Sequence, residues 1–132
     1  MGGSSALAVM ALYPKLNHSA MRLLVHMAAT SLDPGQRSEG RLPCCYWAGP
    51  NSQILAMGWR DMSRMTAWRE LRKLRNNILS EGAMVRIGVY HKHPVFLLIT
   101  GSEPDLQTAV RWAQERQQLG ASDTYQVGAS AT

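Results

Sequence analysis

The stretch 63–80 constrains this chain more than any other. Ala67, Leu71, Leu74 and Ile78 recur at intervals of four, three and four, the spacing of one face of a helix. At 100° per residue, Met65, Arg69, Arg72, Lys73 and Asn76 then lie on the opposite side, with Thr66 beside them. Asp61 or Ser63 can cap the start, and Gly82 ends the run. A helix with one apolar and one basic stripe belongs at the surface of a small domain, cations outward.

The charge is concentrated in the same region. The chain has 132 residues, 14 Lys plus Arg against 9 Asp plus Glu, and a formal charge of +5 with its histidines neutral. Residues 60–93 hold eight of the basic and three of the acidic residues, which accounts for the whole net charge. Such an imbalance is expected where one face meets a polyanion; the competing explanation is a merely solvated helix. The length suits one domain, and 45% hydrophobic with 17% charged residues is enough to build a core. Wholesale disorder and a multi-domain enzyme are both poorly supported.

The remaining chain divides readily. Residues 1–16 read as a flexible leader, 17–101 as the folded domain, 102–120 as a C-terminal helix and 121–132 as a disordered tail. Within the domain, Asn17-His18-Ser19 offers a cap to a helix carrying Leu23, Leu24, Met27, Ala28 and Ser31, which Asp33-Pro34-Gly35 stops. A polar loop over 36–40 precedes a short edge strand within 41–47. Asn51 or Ser52 can cap a short helix through Ile54, Leu55 and Met57, closed by Gly58. After the long helix, 83–89 and 95–100 read as strands joined by the polar turn 90–94. Ser102 and Pro104 open the last helix, with Leu106, Ala109, Val110 and Ala113 on one face.

This order predicts an α+β, mostly helical chain: a winged helix-turn-helix of three helices and a β-hairpin wing, with an additional C-terminal helix. In that arrangement helix 63–80 enters the major groove of double-stranded DNA. Arg pairs bidentately with guanine and Thr meets bases or the thymine methyl, so Ser63, Arg64, Thr66 and Arg69 are the base-reading candidates. Arg72, Lys73 and Arg75 lie further along and are expected on phosphates. His91, Lys92 and His93, at the wing tip, are expected on the flanking backbone or minor groove; acidification would add charge there. The C-terminal helix is offered equally to a second copy, as a homodimer contact that Trp112 can assist, and to its own domain.

Other chemistry finds little footing. Cys44 and Cys45 are adjacent, with one expected facing in and one out, and adjacent cysteines do not form an ordinary disulfide; this suggests a reducing, cytoplasmic setting. Together with His91 and His93 they are four soft ligands, but not at the separated-pair spacing of zinc sites, so no metal and no cofactor is expected. Trp47 and Trp59 read as core closures and Trp68 as partly exposed, in preference to stacking platforms for single strands. His18 and His26 read as structural. No nucleophile with a neighbouring base, no glycine-rich phosphate loop and no paired carboxylates occur, so an enzyme is not expected. The apolar run 6–12 is too short to span a membrane and follows no cation.

The stretch 16–28, ending Leu23-Leu24-Val25-His26-Met27-Ala28, is followed by Tyr46-Trp47-Ala48-Gly49 and Ile54-Leu55-Ala56-Met57-Gly58-Trp59. With Trp68-Arg69-Glu70-Leu71-Arg72-Lys73-Leu74 and Ser80-Glu81-Gly82-Ala83-Met84-Val85, it resembles small winged-helix DNA-binding proteins of actinobacteria and their phages and mobile elements. The resemblance covers residues 17–100. It implies a double-stranded DNA partner, a bacterial or phage setting and no cofactor. The first expectation is a sequence-specific transcriptional regulator. The alternatives are a replication-initiation or partition factor, and a phage-type protein-interaction module that inhibits a host protein through Met65 and Trp68.

Overall fold

The computed structural model describes residues 3–31, 43–101 and 103–125, with side chains as far as Glu115. Among these residues the chain is an α+β fold of five helices and a three-stranded antiparallel sheet. The order is α1 (Gly3–Leu12), α2 (His18–Thr30), β1 (Cys45–Tyr46), α3 (Pro50–Ala56), α4 (Arg64–Ser80), β2 (Met84–Tyr90), β3 (His93–Leu98) and α5 (Leu106–Tyr125).

Local chemistry sets most boundaries. Asn17 caps α2, its Oδ1 accepting from the Ala20 amide at 2.8 Å. Ser63 caps α4 in the same way, accepting from the Thr66 amide at 3.2 Å. Gly58, at φ +76°, donates to the Leu55 carbonyl as α3 ends, and Gly82, at φ +75°, donates to the Leu79 carbonyl past α4. The start of α3 differs from expectation. Its cap is Gly49, with Pro50 in the first turn, and no side chain accepts there. Asn51 and Ser52 lie inside the helix, and Ser52 Oγ instead shares a 2.6 Å hydrogen bond with Tyr46 Oη.

β3 is the middle strand, pairing with β1 on one side and β2 on the other. Its side chains alternate between two layers, as a pleated strand requires. Phe96 and Leu98 join α1, α2, α3 and α4 in the larger core, with Leu23, Leu24, Met27, Leu71 and Ile78. Val95 and Leu97 face the smaller cluster, where Cys44, Cys45 and Ile87 meet Ala109 and Ala113 of α5. The sheet therefore lies between the four-helix layer and α5. The β2–β3 register shifts between Arg86 and Gly88, and the connecting turn narrows to His91 and Lys92, both at positive φ (50° and 68°).

Four expectations are corrected. The leader 1–16 contains α1, whose Val9 and Ser5 are buried; Val9 belongs to the larger core. Cys44 and Cys45 are both buried, because Cys44 turns at φ +60° instead of extending the strand, and alternation fails between them. Burial pushes the Cys45 thiol up to about 12, with Cys44 adding to the shift, so it stays a neutral packing group. The last helix starts at Leu106 and not at 102: Asp105 Oδ2 accepts from the Thr108 amide (3.1 Å) and hydroxyl (3.0 Å), holding the Asp105 carboxyl below its usual range. That helix also continues to Tyr125, into the expected tail; residues 126–132 lie outside the described residues, as do Ser102, the loop 36–40 and the start of the 41–47 stretch.

The apolar face of α5 is occupied by its own domain. Ala109 and Ala113 are buried against the sheet and Val110 packs beside them, while Leu106 stays 48% exposed. Among the described residues no helix is long and apolar enough to cross a membrane, and no group of three or more His, Cys, Asp or Glu is placed to hold a metal ion.

Candidate functional site

A groove of about 1130 Å³ runs between α4 and the β2–β3 hairpin. Arg64, Arg69, Arg72 and Arg75 enter it from α4, Arg86 from β2 and Lys92 from the turn. No carboxylate lines it among the described residues. Its apolar wall comes from Met65, Trp68, Pro94 and Phe96, with Leu71 and Leu79 beneath. Like charges gathered without counter-ions raise the free energy of the isolated protein and favour capture of an anion.

The sequence-predicted residues divide between this groove and its surroundings. Arg64, Arg69 and Arg72 are exposed along its rim, and the Arg64 guanidinium carbon lies 5.7 Å from the Trp68 ring centroid. Lys92 projects from the turn. His93 is half-buried against the start of α3; a Cβ built on Gly49 would stand 3.0 Å from His93 Cδ2. His91 is exposed, with its ring centroid 4.1 Å from that of Tyr90, and does not line the groove. Ser63 and Thr66 lie at the helix start, where the Ser63 hydroxyl donates to Thr66 Oγ1 at 2.8 Å, so both hydroxyls are engaged in the cap. Lys73 stands outside the groove and pairs with Glu70 at 3.3 Å on the exposed surface.

Arg75 occupies a different environment from the other arginines. Its Nη2 donates to Oε1 of the fully buried Gln53 of α3, and its guanidinium carbon is 5.4 Å from the Phe96 ring centroid. Burial pulls its pKa down, Tyr46 opposes that shift, and the nearby Arg86 adds to it; an arginine remains charged throughout. Arg75 Nε and Gln53 Nε2 are buried with no hydrogen-bond partner. Arg75 therefore ties α4 to α3 at the groove's floor instead of standing free for a phosphate. Its spacing carries the signal: it lies four residues after Leu71 and three before Ile78, on the buried face.

Arg86 is the cation that sequence reasoning missed. Strand alternation places it with Met84 on the α4 side of the sheet, directly across from Phe96. Close by, Tyr46 Oη donates to the Gly49 carbonyl at 2.9 Å, which fixes the start of α3 beneath the groove. Burial raises the Tyr46 pKa against the opposing effects of Ser52 and Arg75, so the phenol stays protonated.

No family model, curated protein or solved structure matches the chain.

Proposed function

We propose that the chain is a winged helix-turn-helix protein that binds double-stranded DNA sequence-specifically and acts as a transcriptional regulator. The observation that carries this reading is the groove beside α4, with six cationic side chains and no carboxylate among the described residues. The order α2, β1, α3, α4, β2, β3 supports the fold assignment, with α3 and α4 separated by a tight turn and the hairpin set against α4. The remaining helices, α1 and α5, are additions that brace the domain.

In this reading the first turns of α4 enter the major groove. Arg64 and Arg69 reach base edges, with Ser63 and Thr66 fixing the helix start. Arg72, Lys73 and Arg86 neutralise phosphates, while His91, Lys92 and His93 follow the flanking backbone or minor groove. Arg75 holds α4 at its angle to α3. Cys44 and Cys45 are both buried and neither is in a disulfide, which fits a reducing, cytoplasmic setting.

The test is a titration of the protein against the duplex upstream of its own gene and a random duplex of equal length, at about 50 and about 200 mM salt. The reading expects tighter binding to one sequence, and a log–log salt slope of about −0.9 for each phosphate neutralised. Absence of binding to any duplex at the lower salt overturns it.

A further inference from the structure

Two large apolar side chains stand among the arginines of α4. Met65 is 74% exposed and Trp68 48% exposed. Three residues apart, they share one face of the helix within its first two turns. Arginines at four-residue spacing accompany both: Arg64 lies over the Trp68 ring, Arg69 follows Met65, and Arg72 follows Trp68. The domain's own core uses neither residue: Leu71 and Ile78, on the buried face with Ala67, already pack α4 against α2 and the sheet. An apolar pair kept in water inside a cationic surface marks a contact site.

The charge selects the class of partner. A protein partner for this face would have to be strongly acidic around an apolar knob, whereas a DNA major groove supplies anions on both sides and an apolar group at its floor. That group is the C5-methyl of thymine, the one apolar substituent the four standard bases present there. We propose that Met65 and Trp68 make this protein a reader of thymine methyl groups, its preferred duplexes carrying thymine at one or two fixed positions flanked by the arginine contacts. The inference rests on the DNA-binding reading and adds what the site selects.

The experiment begins with selection of duplexes from a random-sequence library by the full chain at low salt. Each thymine of the enriched sequence is then replaced singly by deoxyuridine, which removes only the methyl group. Loss of one buried methyl corresponds to about a fourfold loss of affinity. The loss should occur at one or two positions, persist in Met65→Leu, and vanish at its position in Met65→Ala or Trp68→Ala. Both side chains are exposed, so these variants should keep the wild-type unfolding midpoint. If every deoxyuridine duplex binds like its thymine parent, or if the methyl effect is undiminished in both alanine variants, thymine reading is overturned while DNA binding stands. If duplexes are retained but no sequence is enriched, thymine reading is overturned while DNA binding stands. If no duplex is retained, the DNA reading fails and this inference falls with it, and a protein partner that depends on Trp68 but not on Arg69 would then be sought.

Discussion

The guanidinium of Arg75 donates to Oε1 of Gln53, a side chain with no exposed surface, across the contact between α4 and α3. Truncation of Arg75 would leave the Gln53 amide buried without a partner and remove the packing on Phe96. Arg75→Ala should therefore destabilise the fold by about 1 to 3 kcal/mol. Arg72→Ala, exposed at the groove's rim, should stay within about 0.5 kcal/mol of wild type. Urea unfolding of the two variants checks the contrast, and equal midpoints would show that Arg75 is not a structural tie.

His26 of α2 gives the fold a pH dependence of known sign. Its Nε2 is buried without a hydrogen-bond partner, its ring meets Tyr46 edge-on at 6.2 Å, and desolvation lowers its pKa below the ordinary 6.5. The unfolded chain thus takes up a proton at higher pH than the folded chain does. The stabilising effect is complete above pH 6.5 and is lost as pH falls through the lower folded value. The urea midpoint should drop between pH 7.5 and pH 5, as round test values, and the drop should be smaller in His26→Gln.

Gly49 and His93 lock the hairpin to the start of α3. Gly49 sits at φ +86°, and an added Cβ would approach the His93 ring to 3.0 Å. Gly49→Ala thus meets two penalties, left-handed backbone strain and a steric clash, and should cost about 1 to 3 kcal/mol. Adding His93→Ala removes only the clash, so thermal unfolding of the double variant should recover part of the loss. Full recovery would mean that the backbone conformation carries no strain.

How far the fold could be read from the sequence depended on whether a residue's partner was local. Asn17, Ser63, Gly58 and Gly82 act within their own turns, and the expected caps and stops at these positions are the observed ones. The stripe of α4 was likewise legible, since Ala67, Leu71 and Ile78 are buried and Leu74 is half-buried. By contrast, α1 has no charged residue and no apolar periodicity, so its Gly-Ser start suggested a loose leader; only docking on α2 orders it. Arg75 was assigned by its charge, although its spacing put it on the buried face, because Gln53 lies 22 residues earlier in the chain. Arg86 counted towards the basic region but was given no contact, because a strand cation acquires its role only when the hairpin folds back beside α4.

The proposed division of labour along α4 separates two kinds of arginine and lysine contact. Arg69 lines the groove and is free of any ion pair among the described residues, whereas Lys73 lies outside it and is paired with Glu70. On a selected duplex, Arg69→Ala should cost about 1 to 3 kcal/mol and relax preference at one base position. Lys73→Ala should weaken selected and random duplexes alike and flatten the salt slope by at most about one unit, its existing partner already offsetting part of its charge. Fluorescence-anisotropy titrations on both duplexes at two salt concentrations distinguish the cases. Identical effects of the two substitutions on selected and random DNA would show that base reading does not reside at Arg69, and would shift it towards Arg64 at the head of the helix.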